Sequence, residues 1–548
     1  MTRLPALQLS RRQFVGVCGG ALIALASCRP SSDTQGAVDV EAGDIGASDG
    51  RIRMGITDKL RTLDPADAYE PATLNVLLNV GETLYTYPPG SSELQPLLAT
   101  AMPEIDDEGK TYRIPLREGV TFHDDTEFNA EAMAFSLRRL IENGGKPAFL
   151  LADLVESVEA TGAYELTVKL KYPFSGFTAM LAFPGACAVS PTAYSIGKGQ
   201  FEPEKIVATG PYQLTRYMEN TSVTLDAYDR YWGEAPANAG VDLQLFNTSG
   251  TLLNAFKTGA IDLAFQTLEP GQIDSLKKES DAGWQVVSQT SGLIRYLVLN
   301  VKQAPLDRKE VRQAIAAAVD RAVLQNRVFL GQAEPLYSLV PTNLANARPA
   351  FQEAYGDRDV DKAKELLAAA GFSASNPART TLWHASENAR GELMSSLLKA
   401  SMERTFEGAL ELDLQAVEAA SLFDNLNKGT YPMVLLSWSP DFLDADNYIQ
   451  PFLPCDRDED GTCVQGATFE HGSFYYNEEL NQLVQQQRTE TDAAKRDRLL
   501  ADIQALVADE VPYIPLVQGI DFISGSPRID NLKLAGQQAV PLWLVRKA

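Results

Sequence analysis

Segments of alternating polarity and segments with helical spacing follow one another along most of the chain. Residues 164–174, YELTVKLKYPF, place apolar side chains at every second position, which predicts a strand broken by Pro173. Residues 306–329 carry apolar side chains at helical spacing, and Asn129 is a suitable N-cap for a helix that follows the predicted strand Tyr112–Leu116. Strands and helices alternate without a repeat of 20 to 50 residues, so the pattern predicts mixed α/β lobes.

The N-terminal apolar segment differs from the rest of the pattern. Residues 14–26 follow the pair Arg11-Arg12 and are fewer than the roughly 20 that a spanning helix needs, which predicts a secretory signal over residues 1–27. The arginine pair resembles a twin-arginine export signal. Leu-Ala-Ser-Cys resembles a lipoprotein box in which Cys28 is lipidated, and an ordinary signal with an incidental cysteine is the alternative.

The 22 residues that follow, 28–49, are small, polar and acidic, a composition typical of a flexible tether. We therefore expect an exported protein held by a lipid anchor at the periplasmic or cell-surface face of the cytoplasmic membrane. The whole chain has 548 residues, enough for two to four domains, and a formal charge of −24. That charge argues against binding to nucleic-acid phosphates.

Cys455 and Cys463 flank a polar turn, and a disulfide between them is plausible in an exported protein. Closing this loop contributes roughly 2.5 kcal/mol on the chain-entropy account. A zinc site is the alternative, but the spacing lacks the usual form and a second ligand pair. Cys187 lies in an apolar segment, and we expect a buried free thiol there.

An acidic stretch raises the question of chemistry. In LLSWSPDFLDADNY, residues 435–448, Asp441, Asp444 and Asp446 follow an apolar strand and a tryptophan. Three interpretations apply: catalytic carboxylates, a metal loop, or a seat for a cationic ligand. The acids do not have the spacing of an EF-hand. A catalytic pair stays open, because glycosidases need only two carboxylates, although common catalytic motifs are missing from the sequence.

A family resemblance now bears on these alternatives. Residues 110–140, KTYRIPLREGVTFHDDTEFNAEAMAFSLRRL, resemble the signature of the family 5 extracellular solute-binding proteins, the peptide- and nickel-binding components of ABC importers. Further landmarks occur in the order of that family: LDPADA, GETLY, ATGPYQL, YWGE, TGAIDLAF, VRQAIAAAVDR and PYIPL. Asp124-Asp125 replaces the more usual Asp-Gly of the signature, at a loop tip.

The resemblance implies a two-lobed α/β fold with a hinge and an extra subdomain inserted in the first lobe. Mapped onto this chain, the first lobe is 50–80, 206–290 and 522–548, the insertion is 81–205, and the second lobe is 291–521. The implied protein is a monomer that binds peptides without catalysis and without a cofactor or metal. Its implied partners are the membrane permease and the ATPase of an importer.

The resemblance also assigns candidate ligand-binding residues. Trp438-Ser439-Pro440-Asp441 matches a Trp-x-x-Asp element in which the acid pairs with the ligand's ammonium and the indole offers an apolar or cation–π face. Arg390 is a candidate partner for the ligand's carboxylate. Aromatic candidates are Trp383, Tyr431 and Tyr448, whereas Asp444 and Asp446 are expected to be turn or cap residues.

Other ligands and activities fit the same cleft. A nickel chelate, another small amine, hydrolysis or signalling are the alternatives to peptide import. In nickel-binding relatives a histidine helps to hold the chelate, but His123, His384 and His471 lie far apart in sequence, at positions that do not match that role. The resemblance therefore favours a peptide seated between two closing lobes, with its ammonium on Asp441.

Overall fold

The computed structural model describes residues 50–265, 268–536 and 539–547. The predicted export signal, the tether and the lipidation site Cys28 lie outside these residues. No helix in the described part of the chain has both the length and the apolar character needed to cross a bilayer.

A mixed sheet joins eleven strands of the described residues. Two long strands, Gln285–Leu299 and Tyr513–Gly525, pair antiparallel at its centre and are called the crossing strands below. Ala333–Pro335 pairs with the second of them. From edge to edge the order is Leu410–Val417, Ala378–Ala385, Met433–Trp438, the two crossing strands, Leu263–Phe265, Arg51–Ile56, Gly240–Leu245, Ser222–Ala227 and Tyr212–Met218.

The pairing of the crossing strands is interrupted between Thr290 and Ile294. Strands from residues 51–265 lie on one side of this pair, and strands from residues 378–438 lie on the other. A Cβ atom at Gly292 would lie 2.6 Å from the Cγ of Pro440, so the close approach of the two segments requires glycine there. The interruption thus brings the loop after strand Met433–Trp438 against the centre of the sheet.

The region predicted as an insertion contains the paired strands Tyr85–Thr86 and Gln95–Pro96, the short helices Phe149–Ala152 and Phe177–Met180, the helix Ala130–Glu142 and a smaller sheet. The four strands of this sheet are Glu104–Asp106, Thr111–Pro115, Glu165–Leu170 and Val155–Gly162, in that order. Helix Ala130–Glu142 begins at Asn129, whose side chain accepts a hydrogen bond from the N–H of Ala132 at 3.0 Å, so the predicted cap is confirmed. Arg139 of this helix forms a buried two-fold hydrogen bond with Asp64, at 2.7 and 2.6 Å.

The remaining elements pack around these sheets, and two large hydrophobic clusters form the core. One cluster joins residues of 66–188 with residues of 294–517; the other joins residues of 52–80, 206–265 and 523–545. The predicted lobe boundaries stay a prediction.

The longer helices are Pro71–Val80, Ser249–Lys257, Pro270–Lys278, Lys309–Ala318, Arg321–Arg327, Ala350–Tyr355, Val360–Ala369, Ala389–Phe406, Ala419–Asn425, Glu478–Thr489 and Ala493–Glu510.

A hairpin of two strands, Cys455–Glu459 and Thr462–Gly466, holds the predicted cysteine pair. The structure joins Cys455 to Cys463 by a disulfide. Cys187 is buried and free, as the sequence predicts. The disulfide closes a local turn and therefore braces the hairpin rather than distant parts of the chain.

Candidate functional site

A cavity of about 480 Å³, called the first cavity, opens beside the interruption in the crossing strands. Both sides of the sheet contribute to its wall. One side supplies Tyr69, Leu74 and Phe183, the other supplies Ser439, Pro440, Asp441 and Leu443, and the crossing strands supply Gln289, Thr290, Gly292 and Asp521. Segments that are distant in sequence therefore form the wall of this cleft together.

Asp441 reaches the first cavity because its buried strand ends at Trp438 and the chain turns at Pro440. The N–H of Asp441 donates to the amide oxygen of Asn447 at 2.9 Å, which fixes the turn. The carboxylate accepts hydrogen bonds from the phenol of Tyr69 and, at 3.4 Å, from the amide of Asn447. Burial raises the pKa of Asp441, although these two donors oppose the rise.

The two neighbouring acids have different surroundings. Asp444 caps the short helix Ala445–Tyr448 and forms an ion pair with Arg496 at 2.6 Å, which confirms its predicted role as a cap. Asp446 is buried and lies 3.3 Å from Arg488. Among the described residues, no arginine or lysine forms an ion pair with Asp441. Of the three acids in the stretch, Asp441 is thus the one that faces a cavity with neutral partners alone.

Trp438 supports this arrangement from behind. Its indole N–H donates to Asn447 at 3.3 Å, and its ring packs edge-on against Phe452 at 5.4 Å. The ring is not part of the wall of the first cavity. The apolar or cation–π contact of the indole with a ligand stays a prediction, and Trp438 and Asp441 share the amide oxygen of Asn447 as hydrogen-bond acceptor.

The aromatic candidates are engaged in packing. Tyr448 is fully buried and its hydroxyl donates to the carbonyl of Gly292 at 2.8 Å, and its contact with a ligand stays a prediction. Tyr431 is buried as well, and its ring lies 5.1 Å from that of Trp383. Neither Tyr431 nor Trp383 is part of the wall of the first cavity, and their contact with a ligand stays a prediction.

A second cavity of about 210 Å³ adjoins the first at Asp521, which lines both. Arg390, the candidate partner for a ligand carboxylate, is part of its wall, and its guanidinium pairs with Glu269 at 2.8 Å. Sequence reasoning missed Arg295 and Asp521, which also line this cavity. Their sequence signal is a single charged residue inside an otherwise apolar strand segment, as in LIRYLVL and VQGIDFIS.

Burial raises the pKa of Asp521 to about 7, and a hydrogen bond from Ser291 opposes the rise.

The histidines do not assemble a metal site: within the described residues no group of three or more potential metal ligands occurs. His123 lies 3.0 Å from the carbonyl of Gly210, and burial lowers the pKa values of His123 and His471 to about 4. The charged residues that line the two cavities are Asp441, Asp521, Arg295 and Arg390. Asp441 forms no ion pair with a described arginine or lysine, and Asp521 is easily protonated.

Comparison with known families gives a consistent result. The model for "Bacterial extracellular solute-binding proteins, family 5 Middle" matches residues 93–460. A curated relative, the glutathione-binding protein GsiB of Shigella flexneri, is 27% identical over 475 residues, which cover 85% of this chain and 88% of the relative. GsiB of Escherichia coli (strain K12) is similar to the same extent.

Solved structures agree in fold. NikA from Brucella suis, in complex with Fe(III)-EDTA, gives a TM-score of 0.78 at 20% identity and covers 91% of this chain and 100% of its own. The dipeptide-binding protein from Pseudoalteromonas sp. SM9913, in complex with Met-Leu, gives 0.72 at 22% identity with the same coverage. At these identities the likeness establishes the fold, which is the expected two-lobed α/β fold of such binding proteins.

Proposed function

Because the chain belongs to family 5 of the bacterial extracellular solute-binding proteins, we propose that it is the extracytoplasmic component of an ABC importer that captures short peptides. In this proposal the protein binds its ligand in the cleft without catalysis and delivers it to the permease and ATPase subunits. The glutathione-binding relative and the Met-Leu complex of the structural neighbour support a peptide ligand.

The observation that carries the proposal is the state of Asp441. Its carboxylate lies in the wall of the first cavity with hydrogen-bond donors that are neutral, while the two acids beside it are paired with arginines. A buried carboxylate without a counter-charge is costly, and the ammonium of a peptide supplies that charge. Removing one partner of a desolvated charge pair of this kind costs about 2–5 kcal/mol of binding free energy.

The size of the site is suited to such a ligand. The first cavity, at about 480 Å³, falls within the range of roughly 300–1,000 Å³ found for small-molecule sites. In the proposal the peptide's ammonium meets Asp441 in the first cavity, and its C-terminal carboxylate meets Arg390 in the second. Arg390 can exchange Glu269 for the ligand at low cost, because both side chains are largely exposed and such pairs contribute little.

The cellular context rests on the sequence. The arginine pair, the short apolar segment and Cys28 support export, with lipidation as the anchor. The acidic tether at 28–49 would then hold a monomeric binding protein close to the permease. Metabolic labelling with a palmitate analogue, compared between the natural chain and the Cys28→Ala variant, tests this part independently of the ligand.

Native mass spectrometry tests the peptide proposal. The purified protein, freed of endogenous ligand by denaturation and refolding, is incubated with Ala-Ala-Gln and with its N-acetylated form. We expect a 1:1 complex with the first peptide, recovered intact, and at least tenfold weaker binding of the acetylated form, which has no ammonium. Equal binding of both forms would exclude the role of Asp441, and retention of a nickel complex alone or release of cleavage products would exclude peptide capture.

A further inference from the structure

Arg295 is a cation in the middle of the first crossing strand, where its neighbours are apolar. It lines the second cavity together with Arg390, and it also lines a third cavity of about 190 Å³ that contains Asn388 and Ser437. Arg295 is therefore part of the wall of two neighbouring cavities.

The contacts of Arg295 differ from those of the structural arginines in the same core. Arg321 donates to the carbonyls of Leu336 and Pro515 and lies 3.6 Å from Asp357. Arg295, by contrast, has the ring of Phe329 4.9 Å away, and among the described residues no carboxylate or carbonyl accepts a hydrogen bond from it. The protein thus surrounds this cation without supplying an anion.

The electrostatic surroundings make this position unfavourable for the protein alone. Burial, together with the positive charge of Arg390, lowers the pKa of Arg295 to about 10. An unpaired charge held away from bulk water costs stability, and such groups concentrate at functional sites. An anion that enters the second cavity would be attracted by both guanidinium groups and would relieve their mutual repulsion.

We propose that Arg295 binds a second anionic group of the ligand, so that the preferred peptides carry a carboxylate in addition to the C-terminal one. This inference rests on the peptide-binding function proposed above. Asp441 then takes the ammonium, Arg390 takes the C-terminal carboxylate, and Arg295 takes the additional carboxylate. Because Arg295 and Arg390 line the same small cavity, the two carboxylates belong near each other, as in a peptide that ends in glutamate.

Calorimetric titration with two tripeptides of equal length tests this assignment. Ala-Ala-Glu and Ala-Ala-Gln differ by one carboxylate, and we expect the natural protein to bind Ala-Ala-Glu at least tenfold more tightly. In Arg295→Gln this preference disappears, because Ala-Ala-Glu loses more affinity than Ala-Ala-Gln, and Arg295→Lys retains part of the preference because it keeps the charge. Glu-Ala-Ala, with its extra carboxylate at the other end, should gain no such advantage over Gln-Ala-Ala.

Arg379→Gln is the matched control, because Arg379 is an exposed arginine paired with Glu411 and lines none of the three cavities. It should keep the full preference for Ala-Ala-Glu. A structural role for Arg295 predicts a lower melting temperature for Arg295→Gln, whereas a ligand-binding role predicts an equal or higher one.

The proposal is overturned if the natural protein does not prefer Ala-Ala-Glu, if Arg295→Gln keeps the preference, or if both Arg295 variants unfold at markedly lower temperature. Failure of the natural protein to bind any of these peptides is a different result: it overturns the peptide-binding function, and this inference with it.

Discussion

The phenol of Tyr69 donates a hydrogen bond to the carboxylate of Asp441, a residue 372 positions further along the chain. This contact crosses the first cavity, because Tyr69 precedes helix Pro71–Val80 on one side and Asp441 follows strand Met433–Trp438 on the other. A phenol satisfies the acid without neutralising it, so the negative charge stays available. The contact also joins two sides of the cavity wall between which the proposed ligand lies.

Replacing Tyr69 by phenylalanine should change the pH dependence of peptide binding. The carboxylate of Asp441 must be ionised to pair with an ammonium, so affinity falls as the pH drops through its pKa, which burial already raises. Tyr69→Phe removes a hydrogen bond that favours the charged form, which raises the pKa of Asp441 further. Titrations with Ala-Ala-Gln between pH 4 and 8 should show affinity lost at a higher pH in the variant, and a shift to lower pH would contradict this role.

Removal of the acid itself should have a larger effect. Asp441→Asn keeps the shape of the side chain but loses its charge, and we expect peptide affinity to fall at least tenfold, in line with about 2–5 kcal/mol for desolvated charge pairs. The N-acetylated peptide should bind the variant and the natural protein with similar affinity, which closes a thermodynamic cycle. Asp413→Asn, on an exposed strand position, is the matched control and should leave both affinities unchanged.

The sequence predicted those features that depend on local pattern. The family resemblance and the mixed α/β fold are confirmed, and so are the caps at Asn129 and Asp444. Cap and strand signals occupy a few adjacent residues, so they can be read without knowledge of the tertiary structure.

Contacts between distant segments were beyond such reasoning. Arg312, on helix Lys309–Ala318, is an example: its guanidinium donates to the carbonyl of Glu510, 198 positions further along the chain, and lies 3.7 Å from the carboxylate of that residue. In the same way, the sequence identifies Tyr431 and Tyr448 as aromatic residues near the expected cleft. The packing between strands decides whether each ring faces a cavity or the core.

The buried pair of Arg139 and Asp64 should be important for stability. Both side chains are almost completely buried, and Asp64 also accepts hydrogen bonds from the N–H groups of Ala66 and Glu202. Arg139→Met leaves the carboxylate unpaired, and we expect a loss of about 3–5 kcal/mol in urea unfolding. Adding Asp64→Asn should recover part of that loss, because the amide carries no buried charge and its oxygen still accepts from one of the two N–H groups.

The exposed pair of Arg379 and Glu411 offers the comparison, since Arg379→Met removes an arginine from the surface and should change stability by no more than about 0.5 kcal/mol. A similarly small effect for Arg139→Met would contradict the expected importance of the buried pair.

The disulfide between Cys455 and Cys463 should stabilise the protein modestly. The double replacement by serine opens a short loop, and the chain-entropy account gives a loss of roughly 2.5 kcal/mol. Reductant should lower the urea midpoint of the natural protein towards that of the double variant and leave the variant itself unchanged. Peptide affinity should be kept, because neither cysteine lines the first or second cavity.

Asp521 should make stability depend on pH in a direction opposite to that of most carboxylates. Burial raises its pKa from the ordinary value of 3.8 to about 7. Between these values the native protein holds a proton on Asp521 that the unfolded chain has released. Stability therefore falls as the pH rises through this window, by about 1.4 kcal/mol per unit for one proton, and the contribution is constant above the window.

Asp521→Asn removes this titration while preserving an acceptor for Ser291. We expect the variant to be more stable than the natural protein at pH 8, by on the order of 2–4 kcal/mol, and nearly equal to it at pH 4. Glu82 and Asp446 also have raised pKa values, about 7 and about 6, so a residual slope remains in the variant. Urea unfolding at both pH values, with the exposed Asp530→Asn as control, measures the difference. Equal stability of variant and natural protein at pH 8 would mean that Asp521 is well solvated through the two cavities that it lines.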